Sequence, residues 1–426
     1  MRTSSRTALL ALAGTTATAL ALTACSGGSS ASTTDANKKV TLTYWHAYSA
    51  DSPEVHQLET VVIPAFTKAH PNITVKDVAF PYDQLHQKLL TSAAGGNLPC
   101  LVRSDIIWVP ELAKLGAIVD MDKQLPEFGT IAGRTYPGAL ATNLYKGEHF
   151  GLPLDTNTRV LMYNQATLTK AGMTSPPKTF DDVRALAAKL KGTGDVAFAD
   201  NGTSGWNLFP WIWSAGGDVT DPAQTKATGY LNSAKSVAGV QLLVDLYKQG
   251  QLPNIVMGGK GGLDTAVGLP NGKYASILDG PWMYPIFQKQ NPTFAIKTAP
   301  VPDGGGGSIS VVGGEDLVMT SSCPDMPEAS EFARYMLSDD AQIAMAKVGQ
   351  MPVLKDLGSK LTAIQPYYAP FVAQLQTAKP RLPNPEYPKI ETIISDEVQK
   401  AFKGQETVQQ ALDAAASQVD PLLANG

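Results

Sequence analysis

The chain has 426 residues, 43% hydrophobic and 17% charged, the balance of an ordinary globular protein. A formal net charge of -4 and a pI of 5.8 exclude the basic footprint of a nucleic-acid binder. Roughly 390 residues lie beyond the N-terminal region, more than one core usually serves, so two lobes of about 150–200 residues are expected.

Arg2 and Arg6 precede an apolar run from Ala8 to Leu22. That run falls short of the ~20 residues a spanning helix needs. A basic start, a short apolar stretch and small residues at its end predict a secretory signal over residues 1–24. Leu22-Thr23-Ala24-Cys25 resembles the bacterial lipobox, which makes Cys25 the expected lipidation site and membrane anchor. The Ser/Gly/Thr-rich residues 25–39 read as a flexible tether.

Beyond the tether, VTLTYWHAY (40–48) has the β-branched and aromatic character of a strand. Apolar residues at helical spacing run from Glu54 to Ala69, with a kink or break expected at Pro64. HPNITVKDVAF reads as turn and strand, and residues 83–93 as a helix with Asp83 at its N-cap. DIIWV is expected as a short buried strand, and PELAKLG as a helix closed by Gly116. Strand–helix–strand–helix–strand predicts an α/β unit with a parallel sheet. A second α/β region runs from HFGLPLDTNTRVLMYN through helices near 179–191 and 234–250 to YASILDGPW. The PDGGGG loop then leads to a strand, GGEDLVMTSS, and a helix, MPEASEFARYMLSDDAQIAMAKV. The architecture expected is two α/β lobes meeting at a cleft.

Catalytic and phosphate-binding signatures are missing from this order. His46, His56, His70, His86 and His149 show no metal-ligand spacing, and no GxSxG elbow occurs. GLPNGKY lacks the spacing of a phosphate loop. No cofactor and no metal are expected. Aromatic and acidic residues instead gather at the ends of predicted strands, where open α/β sheets bind ligands. They are Trp45 to Tyr48 with Asp51, Tyr82-Asp83, Trp108 with Glu111, and Asp155 with Asn157. Trp206, Asp279 to Trp282, and Gly313 to Asp316 follow. An aromatic face covers the apolar face of a sugar ring, while carboxylates and amides accept from its hydroxyls. Trp211 and Trp213 are expected in the core, and Trp282, after a Gly-Pro that ends a strand, in the cleft. Asp83 either caps its helix or faces ligand.

These segments, in this order, resemble the bacterial extracellular solute-binding proteins of sugar ABC transporters, the maltose-binding-protein-like group. VTLTYWHAYS, SDIIWVPELAKLGAIVDMD, GEHFGLPLDTNTRVLMYNQATLTKAGMTSPPKTFDDV, ASILDGPWMYPIF, AKPRLPNPEYPKI and FKGQETVQQALDAAASQVDPLL carry the resemblance across nearly the whole mature chain. It implies a class II periplasmic-binding-protein-like fold, two α/β lobes joined by hinge strands. Residues 40–154 and 314–360 would form lobe one, and 155–313 and 361–426 lobe two. It places Tyr48, Ser49 and Asp51 in a cleft loop, Tyr82 and Asp83 on the rim, and Trp108 at the end of the third strand. Asp155 and Asn157, Trp206, Asp279 and Trp282, Gly314 and Glu315, and Arg381 would also face ligand. Cys100 departs from the family's usual Asp; the returning strand would bring Cys323 beside it, as a disulfide or as two buried thiols. The implied function is capture of a carbohydrate by a monomer that delivers it to a membrane permease, with no enzyme activity. A polyamine would also suit acidic and aromatic walls. An anionic solute would want Arg or Lys, and a carbohydrate-active enzyme would need two carboxylates roughly 5–10 Å apart.

If Cys25 carries the lipid, Cys25→Ser should release the protein into the medium or leave it as uncleaved precursor. A variant that still fractionates with membranes and labels with fatty acid would overturn the lipobox assignment.

Overall fold

The computed structural model describes residues 38–258 and 263–424; the expected signal, Cys25 and the tether as far as residue 37 lie outside the described residues. Among these, no helix is long and apolar enough to cross a membrane. The first sheet begins with β1 (Val40–His46), β2 (Ile73–Ala79) and β3 (Leu101–Asp105), with β1 pairing in parallel with both others. A small hairpin, β4 (Leu144–Tyr145) and β5 (Glu148–His149), precedes β6 (Leu152–Thr158). One residue later β7 (Val160–Tyr163) starts a second sheet, completed by β8 (Ser276–Asp279) and β9 (Lys297–Ala299). The chain then returns as β10 (Val312–Met319), which inserts antiparallel between β3 and β6. The first sheet has the order β2-β1-β3-β10-β6, the second β8-β7-β9. The chain thus changes sheets at Arg159, four residues beyond the boundary expected after residue 154, because β6 keeps pairing with β10 as far as Thr158↔Val312.

Buried apolar side chains of each lobe follow the periodicity of its elements. Leu42 and Tyr44 of β1 pack with Phe66, Leu317 and Phe332. In the second lobe Leu186, Phe198, Trp211, Leu243 and Leu412 share a core. Helix Phe180–Leu190 starts at a capping box between Thr179 and Asp182, and Val408–Leu423 at one between Thr407 and Gln410. Gly116 takes a left-handed φ of 66° just beyond helix Val109–Lys114.

Three local expectations shift. The segment 53–69 stays helical through Pro64, which stands in the first turn of Ile63–Ala69 after a π-helical turn at Leu58–Val62. The segment 326–346 breaks instead, because Ser338 caps a new helix by accepting from the Ala341 N–H. Strand β3 ends at Asp105, not Trp108: Asp105 Oδ1 accepts from the Ile107 N–H at 2.9 Å and turns the chain away from the sheet.

Cys100 and Cys323 flank the β3–β10 ladder, in which Met319 lies opposite Leu101, and they are joined as a disulfide. The bond closes a loop of 223 residues. Chain entropy sets a ceiling of about 5 kcal/mol on what so long a loop contributes. A Cys100→Ser/Cys323→Ser variant should therefore lose several kcal/mol in denaturant unfolding. Two reactive thiols in the denatured, unreduced parent protein would contradict the bond.

Candidate functional site

A cavity of about 550 Å³ opens at the carboxyl ends of β2 and β3, between the lobes. Its first-lobe wall comes from Tyr82 and Asp83 after β2, Asp105 at the end of β3, and Glu315 of β10. Its second-lobe wall comes from the segment 201–207, from Trp282 after β8, and from Glu391, Ser395 and Gln399 of helix Tyr387–Phe402. Asn157, Gly313 and Gly314 form the floor where the strands cross, and Arg381 stands at the side.

The aromatic part is compact. Trp206 and Trp282 have ring centroids 6.0 Å apart with planes inclined by 30°. Trp206 lies directly on the hinge backbone: a Cβ at Gly313 would sit 2.6 Å from its indole and 2.2 Å from Asn157 Oδ1. Gly314 has a φ of 144°, and a Cβ there would meet the Asp155 carbonyl at 2.4 Å. Only glycine lets the indole and strand β6 approach this closely. Asn157 is buried, and its Oδ1 has no partner among the described residues.

Most carboxylates around the cavity are already engaged. Asp105 accepts from the Tyr82 hydroxyl at 2.8 Å and from Arg381 at 3.1 Å. Glu391 accepts from the Gly205 N–H at 2.9 Å and from the Tyr387 hydroxyl at 3.0 Å. Glu315 pairs with Arg103 at 2.6 Å, and burial pushes its carboxyl well above the usual range. Asp83 remains exposed on the rim, in the first turn of helix Tyr82–Gly95, where Pro81 and not Asp83 occupies the cap position.

Of the residues singled out in the sequence, the cavity brings together Tyr82, Asp83, Asn157, Trp206, Trp282, Gly314, Glu315 and Arg381. Tyr48 and Asp155 lie instead inside the first lobe around the buried Arg103: the Tyr48 ring is 4.1 Å from the guanidinium, and Asp155 pairs with it at 3.1 Å. Ser49 and Asp51 are exposed outside the wall, where the Asp51 carbonyl accepts from Lys289 at 2.6 Å. Trp108 is buried behind the wall, stacked on His86 at 4.8 Å and packed under Tyr82 at 4.7 Å. Because β3 ends three residues early, Asp105 takes the place on the wall that Trp108 was expected to hold. Asp279 sits half-buried just behind Trp282, accepting from the Gly280 N–H at 2.8 Å. Sequence reasoning missed Asp105, Thr203, Glu391, Ser395 and Gln399. The last three did leave a signal, a polar stripe at four-residue spacing on one helix; Ser395 and Gln399 both contact Thr203, at 2.7 and 3.2 Å.

The chain matches the family model for bacterial extracellular solute-binding proteins over residues 62–363. It belongs to that family. The galactooligosaccharide-binding protein of Bacillus subtilis is 23% identical, with 94% of this chain and 93% of that one covered. An sn-glycerol-3-phosphate-binding periplasmic protein of Pectobacterium atrosepticum is 24% identical over 89% of this chain and 90% of its own. Among solved structures, an ABC transporter solute-binding protein of Thermotoga lettingae bound with α-D-tagatose superposes with a TM-score of 0.80. It is 27% identical, covering 90% of this chain and 99% of that one. The fold of this solute-binding protein is accordingly the two-lobed, class II periplasmic-binding-protein type.

Burial pushes the Asp279 carboxyl up to about 7, with Arg159 opposing the rise, and pushes Asp316 up to about 8. Their unfolded counterparts ionise near pH 4. The native state therefore holds extra protons between about pH 4 and pH 7–8, and stability should fall as pH rises through that window and level off above it. Asp279→Asn should flatten the part of the slope below about pH 7 in denaturant titrations at a series of pH values. An unchanged slope would show that Asp279 ionises normally.

Proposed function

We propose that this solute-binding protein captures a neutral sugar or oligosaccharide outside the cytoplasmic membrane and delivers it to the permease of an ABC importer. It is held at the membrane by lipid on Cys25 and performs no covalent chemistry. The observation that carries the ligand class is the pair of inclined indoles, Trp206 and Trp282, beside the unpartnered Asn157 Oδ1. Apolar sugar faces pack on the rings, and ring hydroxyls hydrogen-bond to the amide and to the engaged carboxylates.

Charge argues against an anionic ligand. Asp105 pairs with Arg381 and Glu315 with Arg103, so these two carboxylates stand on the wall as oriented hydrogen-bonding groups. A polyamine would draw on Asp83 and Glu391, the wall carboxylates with no ion pair among the described residues, and the spermidine arm of the screen below separates it from a sugar. A phosphate ester, the ligand named for the Pectobacterium relative, would need a free cation, whereas Arg381 is engaged and Asp83, Glu315 and Glu391 share the wall. The ligands named for the Bacillus and Thermotoga relatives are sugars and support this choice. Transport follows if ligand binds the closed pair of lobes more tightly than the open pair, since only differential affinity shifts the population.

A calorimetric screen of mono-, di- and oligosaccharides, spermidine and glycerol 3-phosphate tests the ligand class. Saturation by spermidine or glycerol 3-phosphate with no sugar bound would overturn it. Burying a large apolar side chain gains ~1.5–3 kcal/mol, so Trp282→Ala should weaken sugar binding by about ten- to more than a hundredfold. Trp282→Phe should keep part of the affinity. A large fall in melting temperature with affinity unchanged would make Trp282 a packing residue only.

A further inference from the structure

Between the two sheets the chain passes through one residue, Arg159, whose side chain is buried at 2% exposure. Its guanidinium reaches three residues of the second lobe. Nη1 donates to the Trp206 carbonyl at 3.0 Å. Nη2 pairs with Asp200 at 2.7 Å and also donates to the Leu278 carbonyl. Asp200 in turn accepts from the Asn201 N–H at 2.9 Å and from Asn207 Nδ2 at 2.5 Å, so it fixes both ends of the segment that carries Trp206. Leu278 leads through Asp279-Gly280-Pro281 to Trp282. The Arg159 carbonyl accepts from Ser310 Oγ at 2.8 Å, on the path by which the chain returns to the first lobe.

We propose that Arg159 is a positioning residue that sets the spacing and tilt of Trp206 and Trp282, and through them the sugar shape that the cleft accepts. The two indoles come from segments more than seventy residues apart in sequence, and this one cation is bonded to the backbone of both. A planar five-donor fork can serve a carboxylate and two carbonyls at once; an ammonium on a flexible stem cannot hold the same geometry. A site built on two ring faces depends on placement to about 0.5 Å, which makes the shared anchor decisive for selectivity. The effect on selectivity rests on the cleft being a sugar site, whereas the effect on the indoles does not.

The test therefore begins without ligand. Two inclined indoles at this separation give an exciton couplet in far-ultraviolet circular dichroism, and Trp206→Phe and Trp282→Phe identify it by each removing it. Arg159→Lys keeps a cation beside Asp200. Arg159→Gln/Asp200→Asn removes both charges together, so that no carboxylate is left buried without its partner. Both variants should unfold cooperatively, lose most of the couplet, and bind the tightest member of a maltooligosaccharide and galactooligosaccharide panel about tenfold or more weakly, with altered rank order. A full couplet in both variants would overturn the proposal. Loss of the couplet, with no glycan bound by the parent protein, would uphold the placement of the indoles and sink the sugar assignment instead.

Discussion

The insertion of β10 between β3 and β6 is the pairing on which the rest of the molecule depends. It is antiparallel to both neighbours, so one strand arriving from the second lobe completes the first-lobe sheet. The same register sets Met319 opposite Leu101, within reach of the Cys100–Cys323 bond, and Glu315 opposite both Asp105 and Asp155. At its start, Gly313 and Gly314 lie against Asn157 and Thr156, where side chains would collide with Trp206 and with β6. Stability of the first lobe and shape of the cleft floor therefore come from one strand. A slip of one residue would turn every side chain of β10 to the opposite face.

Around this strand three buried arginines organise the polar groups. Arg103 gathers Asp155, Glu315 and Gln350 beneath the first-lobe wall, and Arg381 holds Asp105 at the side of the cleft. Arg159 holds Asp200 and two carbonyls behind the second-lobe wall. Buried ion pairs add little net stability, because desolvation offsets most of their attraction. What they supply here is direction. Each guanidinium has several fixed donors, so the carboxylates and carbonyls it engages are held in one geometry before any ligand arrives. A preformed wall of oriented acceptors suits a hydroxyl-rich solute.

The lobes are joined at the places where the chain changes sheets, and the cleft floor is built from those same residues. Asn157 precedes the Arg159 crossing by two positions, and Gly313 follows the Ser310–Val311 return. The cleft floor is therefore formed by the strands that join the lobes. The cleft floor and the inter-lobe connections are one structure.

The order of strands and helices, the α/β class and the burial of Trp211 could be read from the sequence because each depends on periodicity within one element. Trp282 was legible as a cleft residue because it follows a Gly-Pro that ends a strand, whereas Trp206 was placed there by the family resemblance. Tertiary structure alone decided which acids face the cleft. Tyr48 and Asp155 have the right residue types for a sugar site, yet Arg103, far from both in sequence, draws them inside the lobe. Asp105 looked like the start of an apolar strand until its own carboxylate captured the Ile107 N–H and ended β3 there. Glu391, Ser395 and Gln399 reach the wall because their helix packs beside residues nearly two hundred positions earlier. Local pattern reports which face of an element is apolar. Long-range pairing of charges and packing of helices decide which polar side chains are left facing the ligand.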